Sequence, residues 1–405
     1  MDATLSEAPA NALRWTLPAP MRRVSFDKLL PLVRAGVAAA PDRADLALRL
    51  AKTLFQADRM PELIDRFRTS AERGDADAEL LYYLGYAAAM TNERELAVDA
   101  LRAAADKGFD AAFGHLAEAL RRVGRPDDAL AAALRGLERS PSDFKSLGMV
   151  VRSLLERGEP ERLWTICTNL RAAGVWNAYL PSAMALAAAT PAQRDEVAAL
   201  VDSPRWFAAA QLDVPDGFNE RLSAELLGHA SLSPLPSTKA TSGTGRRIDR
   251  LQLTPGPLAR DLLARIRAAV DAYAAQRLGD AAHPMIAARP VHVTLNAWAL
   301  AVHDDGHEDW HMHPGGWISG VYYAAVPPVP PHDGEHRGAI EFGPFPFGGE
   351  RDVRSWPRAH VTPRPGLLLL FPSYYGHRTY PTRAGDPRIV VAFDVVPAAA
   401  AEQPR

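Results

Sequence analysis

The first half of this chain repeats itself, and that repetition limits its fold more than any other feature. Short polar turns recur at "DRMPEL" from Asp58, "TNEREL" from Thr91, "GRPDDA" from Gly124 and "GEPERL" from Gly158, with starts 33, 33 and 34 residues apart. Each turn separates two helix-patterned segments, such as "DAAFGHLAEALRRV" before Gly124 and "DDALAAALRGLERS" after it. Pro141 closes the second of these, because proline lacks the N–H a helix interior needs. One helix pair cannot bury its apolar face alone. Stacked pairs can, and the outcome is a curved α-solenoid. Tyr82, Tyr83, Leu84 and Leu116 fall at helical spacings and read as packing between repeats rather than as a ligand site.

The second half has a different grammar. Ten of the twelve histidines fall between His283 and His377, and the shift in composition argues for a boundary near residues 204 to 215. A length of 405 residues suits two or three domains. A net charge of −2 gives no global electrostatic reason to expect nucleic acid or an anionic membrane as partner. The single cysteine, Cys167, excludes an intramolecular disulfide, and its helical apolar setting "WTICTNL" reads as core. The N-terminus has an early acid and no apolar core, so it does not read as a signal peptide. These features together predict a cytoplasmic protein.

From Pro290 onward strands and turns are expected, after a helix at "PGPLARDLLARIRAAVDAYAAQR". The preceding segment, "SLSPLPSTKATSGTGRRIDRL", reads as a polar loop, and its lone Gly-Thr-Gly is no phosphate site. In "VHVTLNAWALAV", alternation puts His292, Thr294, Asn296 and Trp298 on one face and apolar residues on the other. Such a strand suits a barrel with a polar interior. In "WHMHPGGWISGVYY", period two would place His311 and His313 on one face of a strand, with Cα atoms roughly 7 Å apart. Further strands are expected at "WISGVYYAAV", "GAIEF", "GLLLLFP" and "RIVVAFDVV". His377 follows one of them, and Arg388 shares a face with Val390 and Ala392 on the last. A buried arginine is costly unless an anion meets it. Asp304, Asp305, Glu308 and Asp309 sit on a loop and read as solvated. His303, His307, His332, His336 and His360 also read as loop residues without a catalytic part, and "VPPVPPHDGEHRG" as a rigid surface connection.

Two resemblances follow from these residues. The repeat period and the small residue in each turn resemble tetratricopeptide repeats. The blocks "HMHPGGWISGVYYAAVP", "GAIEF", "PRPGLLLLFPSYYGH" and "RIVVAFD" resemble bacterial Fe(II)/2-oxoglutarate-dependent oxygenases of the double-stranded β-helix (jelly-roll) fold. The expected organisation is a flexible N-terminus (1–22), tetratricopeptide-like repeats (23–204), the oxygenase domain (205–397) and a tail (398–405). The resemblance implies Fe(II) bound by His311 and His377, here with His313 read as the third ligand, and no catalytic residue beyond the metal centre. It implies 2-oxoglutarate held by Arg388 beside Tyr323, with Asn296 facing the same interior, and O2 as oxidant. Hydroxylation of a C–H bond is the implied outcome, on a protein or peptide recruited by the repeats; the same repeats would equally serve a homodimer.

The family's usual motif is His-x-Asp or His-x-Glu, and here His313 takes the carboxylate's place. Either His313 is the third ligand or a carboxylate such as Glu341, on a neighbouring strand, replaces it. Two other readings stand beside this one. A cupin-type metalloprotein would need a glutamate four or five residues after the histidine pair, where Trp317 and Ile318 stand. A scaffold with a degenerate barrel would explain the missing carboxylate but not His377 and Arg388.

Overall fold

The computed structural model describes residues 13–17, 26–74, 76–201, 206–235, 241–277, 283–328, 336–348 and 355–398. The chain divides into two compact units, residues 23–187 and residues 1–22 with 188–405.

The first unit is an α-solenoid. Its described helices are α1 (Phe26–Ala39), α2 (Ala44–Gln56), α3 (Met60–Arg73), α4 (Ala78–Met90), α5 (Arg94–Asp106), α6 (Ala112–Arg122), α7 (Pro126–Arg139), α8 (Phe144–Glu156), α9 (Pro160–Ala172) and α10 (Leu180–Ala187). Asp58, Asn92, Gly124 and Gly158 hold φ of 56°, 64°, 76° and 70°. Each stands two residues before the second helix of its pair. This left-handed residue is the true equivalence point, so the second repeat is aligned on Asn92 rather than Thr91. Only Gly, Asn and Asp adopt that conformation cheaply, which explains the turn composition. Asp77 and Asp143 cap the first helices of their pairs by accepting hydrogen bonds from Leu80 N (2.7 Å) and Ser146 N (3.0 Å). Helices α7 and α8 approach so closely that a Cβ on Gly136 would lie 2.1 Å from Ser146 Oγ. Leu84 and Leu116 are buried between repeats as expected, whereas Tyr82 and Tyr83 are only half-buried. Cys167 is buried in α9, and burial pushes its thiol up to about 12, so it is no nucleophile at neutral pH.

The second unit is a double-stranded β-helix. Its strands are β1 (Arg14–Trp15), β2 (Ala208–Gln211), β3 (Ser233–Pro234), β4 (Thr241–Ser242), β5 (Gly245–Ile248), β6 (His292–Val302), β7 (His307–Glu308), β8 (Ile318–Ala325), β9 (Ile340–Gly343), β10 (Ala359–Val361), β11 (Leu367–Pro372), β12 (Gly376–Thr379) and β13 (Arg388–Pro397). The larger sheet runs β2-β11-β8-β13-β6-β5-β3, with β1 parallel to β6; the smaller runs β10-β9-β12, and β4 pairs β7. Strand β13 lies centrally, paired with β6 from Arg388↔Val302 to Pro397↔Val293 and with β8 on its other side. Its near-continuous burial matches the unbroken apolar run in its sequence.

Three expectations need correction here. The segment read as a polar loop contains β3, β4 and β5, because β5 extends the sheet through Gly245↔Val302 and Ile248↔Ala299. The boundary between compact units falls at 187/188, not 204/205. Helix α11 (Pro191–Val201) lies on the barrel side, where Tyr374 Oη donates to the Leu200 carbonyl (2.7 Å) and Arg194 lies over the Trp356 ring (4.5 Å). The N-terminal segment is held in part: β1 pairs β6, and Trp15 Nε1 donates to Asp271 Oδ1 at 3.0 Å. Residues 1–12, 18–22 and 399–405 of the expected N-terminus and tail, and 329–335 of the proline-rich connection with His332, lie outside the described residues. Among the described residues no helix is long and apolar enough to cross a membrane.

Trp206 is the anchor of the boundary segment. It is 1% exposed, and its carbonyl accepts a hydrogen bond from Tyr273 Oη. Trp206→Ala should therefore destabilise the barrel transition by about 3–5 kcal/mol, read from chemical denaturation of the full chain. The solenoid transition should not move.

Candidate metal centre

Strand β12 carries His377, and the chain before β8 runs alongside it. His311 forms an isolated bridge with His377: each N–H donates to the other's carbonyl at 2.9 Å. The His313 N–H donates to the Ser373 carbonyl at 3.0 Å. Residues 311–313 are thus not a strand of their own, as period two suggested. They converge because one neighbouring stretch, residues 373–377, holds both backbones.

All three imidazoles are pinned through Nδ1. His311 Nδ1 faces the Asp309 carbonyl at 2.7 Å, His377 Nδ1 the Tyr375 carbonyl at 3.0 Å, and His313 Nδ1 the Asp394 carboxylate at 3.1 Å. Carbonyls and carboxylates only accept, so each Nδ1 carries the proton and each Nε2 offers a lone pair. One ligand atom from each ring lies within 4.8 Å of the others. His313 Nε2 and His377 Nε2 stand 3.3 Å apart. Two lone pairs at that distance repel unless a cation lies between them. The donor set fits a transition-metal ion.

Electrostatics agree with that orientation. Burial drives His377 well below the usual histidine range, helped by His311 and His313. Burial also lowers His311, partly offset by Glu308. For His313 burial pulls the same way, but the Asp394 charge and hydrogen bond, with Glu308, outweigh it and raise the pKa.

The histidines open onto a small cavity between the two sheets. Tyr323 and Arg388 line it, as do Trp298, Thr379 and Glu308. Arg388 is 4% exposed and, among the described residues, donates to neutral oxygens at the Gly338 and Tyr380 carbonyls (both 3.3 Å) and Thr379 Oγ1 (3.1 Å). Burial lowers its pKa, with Tyr323 and Glu308 opposing. The cavity therefore has metal ligands on one part of its wall and an anion-hungry guanidinium on another.

Two of the sequence's candidates stand apart from the cavity lining. Asn296 shares the strand face of Trp298 but does not line the cavity; its Oδ1 accepts from Gln252 Nε2 (3.3 Å), a side chain that closes that end. Glu341 is no substitute ligand. It is 1% exposed, paired with Arg358 (2.8 Å) and Arg378 (2.7 Å), and accepts from Tyr380 Oη (2.6 Å), turned away from the cavity that its neighbour Ile340 lines. His307 and His360 lie in β7 and β10 rather than in loops.

Asp394 has no part in the sequence reading, and Glu308, expected to be a solvated loop residue, is instead a half-buried strand residue. Asp394 backs His313 and accepts from Ser319 Oγ at 2.6 Å. The alternation that places Arg388, Val390 and Ala392 on one face continues to Asp394, so it could have been found. Glu308 lines the cavity from β7, with Oε2 3.9 Å from His311 Nε2 and its side chain 19% exposed. Apart from its nearness to the histidine pair, the sequence carries no signal for it.

With this geometry in place, comparison adds a family. Residues 296–394 match the family model described as "Putative 2OG-Fe(II) oxygenase". The matched stretch lies within the second unit and carries His311, His313, His377 and Arg388. No curated protein matches the sequence. Among solved structures, the non-heme alpha-ketoglutarate-dependent epimerase SnoN is 18% identical, with a TM-score of 0.35 over 52% of this chain and 84% of that one. A Pseudomonas putida prolyl-4-hydroxylase is 14% identical, with a TM-score of 0.34 over 54% of this chain and 98% of that one. MamA is 22% identical, with a TM-score of 0.31 over 33% of this chain and 80% of that one.

The different settings of the acids make a test. Removing one partner of a buried, doubly paired carboxylate leaves two guanidiniums uncompensated. Glu341→Ala should cost about 3–5 kcal/mol in stability, less whatever solvent recovers at the part-exposed arginines. Denaturant melts of the full chain measure it, while Co(II) binding by the folded variant should be unchanged.

Proposed function

We propose that this protein is an Fe(II)- and 2-oxoglutarate-dependent dioxygenase that oxidises a C–H bond of a protein or peptide substrate engaged by its repeats. One observation carries the reading: three Nε2 lone pairs converge in the cavity that a buried guanidinium without an ion-pair partner among the described residues also lines. That pairing fits a metal ion together with a small dicarboxylate.

In this reading His311, His313 and His377 hold the iron, and Arg388 grips the far carboxylate of 2-oxoglutarate with Tyr323 and Thr379 beside it. When bound, iron and 2-oxoglutarate supply the oxidising chemistry, with O2 as oxidant and succinate and CO2 as co-products. The protein's residues do the rest. Burial keeps His311 and His377 neutral and available as donors. Arg388 orients the cosubstrate through a planar, charge-assisted contact. Trp298, Val390 and Phe371 exclude water from the cavity wall.

The repeats support a macromolecular substrate by their surface. Helices α2, α4 and α6 share an aromatic cluster in which Phe55 meets Tyr83 (5.3 Å) and Tyr86 (5.0 Å), and Tyr86 meets His115 (4.6 Å). Burial lowers His115 to about 3, so the cluster is neutral at physiological pH. Half-buried aromatic rings across successive repeats suit an apolar or aromatic peptide segment.

Full-length protein loaded anaerobically with Fe(II) should convert 2-oxoglutarate to succinate on admission of oxygen. His377→Ala should abolish both metal binding and succinate formation; retention of either would overturn the reading. Arg388→Ala should weaken 2-oxoglutarate binding by about 2–4 kcal/mol, or roughly 30- to 1,000-fold, with metal affinity nearly unchanged. Lysine at this position should recover part of the loss, since it restores the charge without the fork. Equal binding by parent and Arg388→Ala would remove the cosubstrate assignment.

A further inference from the structure

The His-x-His pair leaves a problem of charge. Three neutral imidazoles give a divalent ion no negative partner, whereas a His-x-Asp motif would supply one. Glu341 cannot help, being saturated by Arg358 and Arg378. Asp394 reaches His313 Nδ1 on the side of the ring away from the lone pair, so it acts only through that ring.

We propose that Glu308 is a further metal-binding side chain, supplying the negative charge that the His-x-His motif lacks. This rests on the metal assignment of the previous section and specifies its ligand set. Strand β7 places Glu308 at the cavity wall: its N–H donates to Thr379 Oγ1 at 2.8 Å, and β7 pairs with β4 through Thr241↔Glu308. One carboxylate oxygen, Oε1, accepts from Thr241 Oγ1 at 3.3 Å. The other, Oε2, faces His311 Nε2 at 3.9 Å. Adjacent donors on one ion with bonds of about 2.1 Å sit roughly 3 Å apart. The His313–His377 gap of 3.3 Å already matches, whereas Glu308 stands outside the three-histidine cluster and its carboxylate would swing toward the ion on binding. No arginine or lysine lies within ion-pair distance of Glu308 among the described residues, so its charge is not spent elsewhere.

The test uses the full-length apoprotein and Co(II), followed by calorimetry and by the visible absorption of the bound ion. Glu308→Gln keeps size and hydrogen bonding but removes charge. It should weaken Co(II) binding by about 10- to 100-fold and alter the Co(II) spectrum. The apoprotein should melt at the parent's temperature, and the rise in melting temperature on adding metal should shrink. Glu308→Asp should fall between the two. If Glu308→Gln binds Co(II) as tightly as the parent while His377→Ala has lost it, Glu308 is not part of the site. If His377→Ala also binds normally, the histidine assignment fails and this inference with it. A weaker apoprotein with an unchanged Co(II) spectrum would reduce Glu308 to a structural role and overturn the proposal.

Discussion

The reciprocal backbone bridge between His311 and His377 is the constraint on which the rest of the site depends. It joins a non-strand segment to β12 through two 2.9 Å hydrogen bonds and so fixes two imidazoles side by side. The rings lie 4.2 Å apart, and each is then oriented by a carbonyl two residues before it in the chain, Asp309 for His311 and Tyr375 for His377. Main-chain acceptors cannot titrate or be lost by substitution of their side chains. Two of the three donor directions are therefore properties of the fold itself.

The barrel around the site is built to hold uncompensated charge in a confined space. Strand β13 contributes Arg388, Val390 and Ala392 to the cavity, and by alternation Asp394 follows on the same face, behind His313. Arg388 and Asp394 never neutralise each other: Asp394 is engaged by His313 and Ser319, and Arg388 by neutral oxygens. Keeping them apart costs stability, since each buried ion is desolvated. That cost is consistent with a cavity whose charges are completed by ligands rather than by one another.

Much of this was legible from alternation and spacing. The period near 34 announced the solenoid, and the apolar runs gave β6, β8, β9, β11 and β13. Parity on β13 pointed Arg388 inward and, carried two residues further, would have given Asp394. The failures share one cause: partners distant in sequence. Glu341 sits on a strand of four residues, too short for alternation to assign a face, and Arg358 and Arg378 decide its fate. Asn296 has the right parity but the wrong depth, because Gln252 meets it there. Glu308 lies in a two-residue strand that pairs with β4, and the polar sequence of β4 carries no strand signal. The boundary was misplaced for the same reason, as composition cannot show that Tyr374 reaches back to Leu200.

His313 shows how the substitution of an imidazole for a carboxylate can be partly undone. An imidazole whose Nδ1–H is held by a carboxylate is more basic, and a better donor, than one held by a carbonyl. His311 and His377 have carbonyls; His313 alone has Asp394. Burial would depress His313 like its neighbours, yet Asp394 reverses the direction. Negative charge thus reaches the donor set indirectly, through the ring that stands where the family's acid would be. Trp298 stacks on that ring at 5.5 Å and 18°, holding its plane against the carboxylate. The charge is relayed through the ring rather than bonded, so Asp394 strengthens donation from His313 while staying outside the donor set itself.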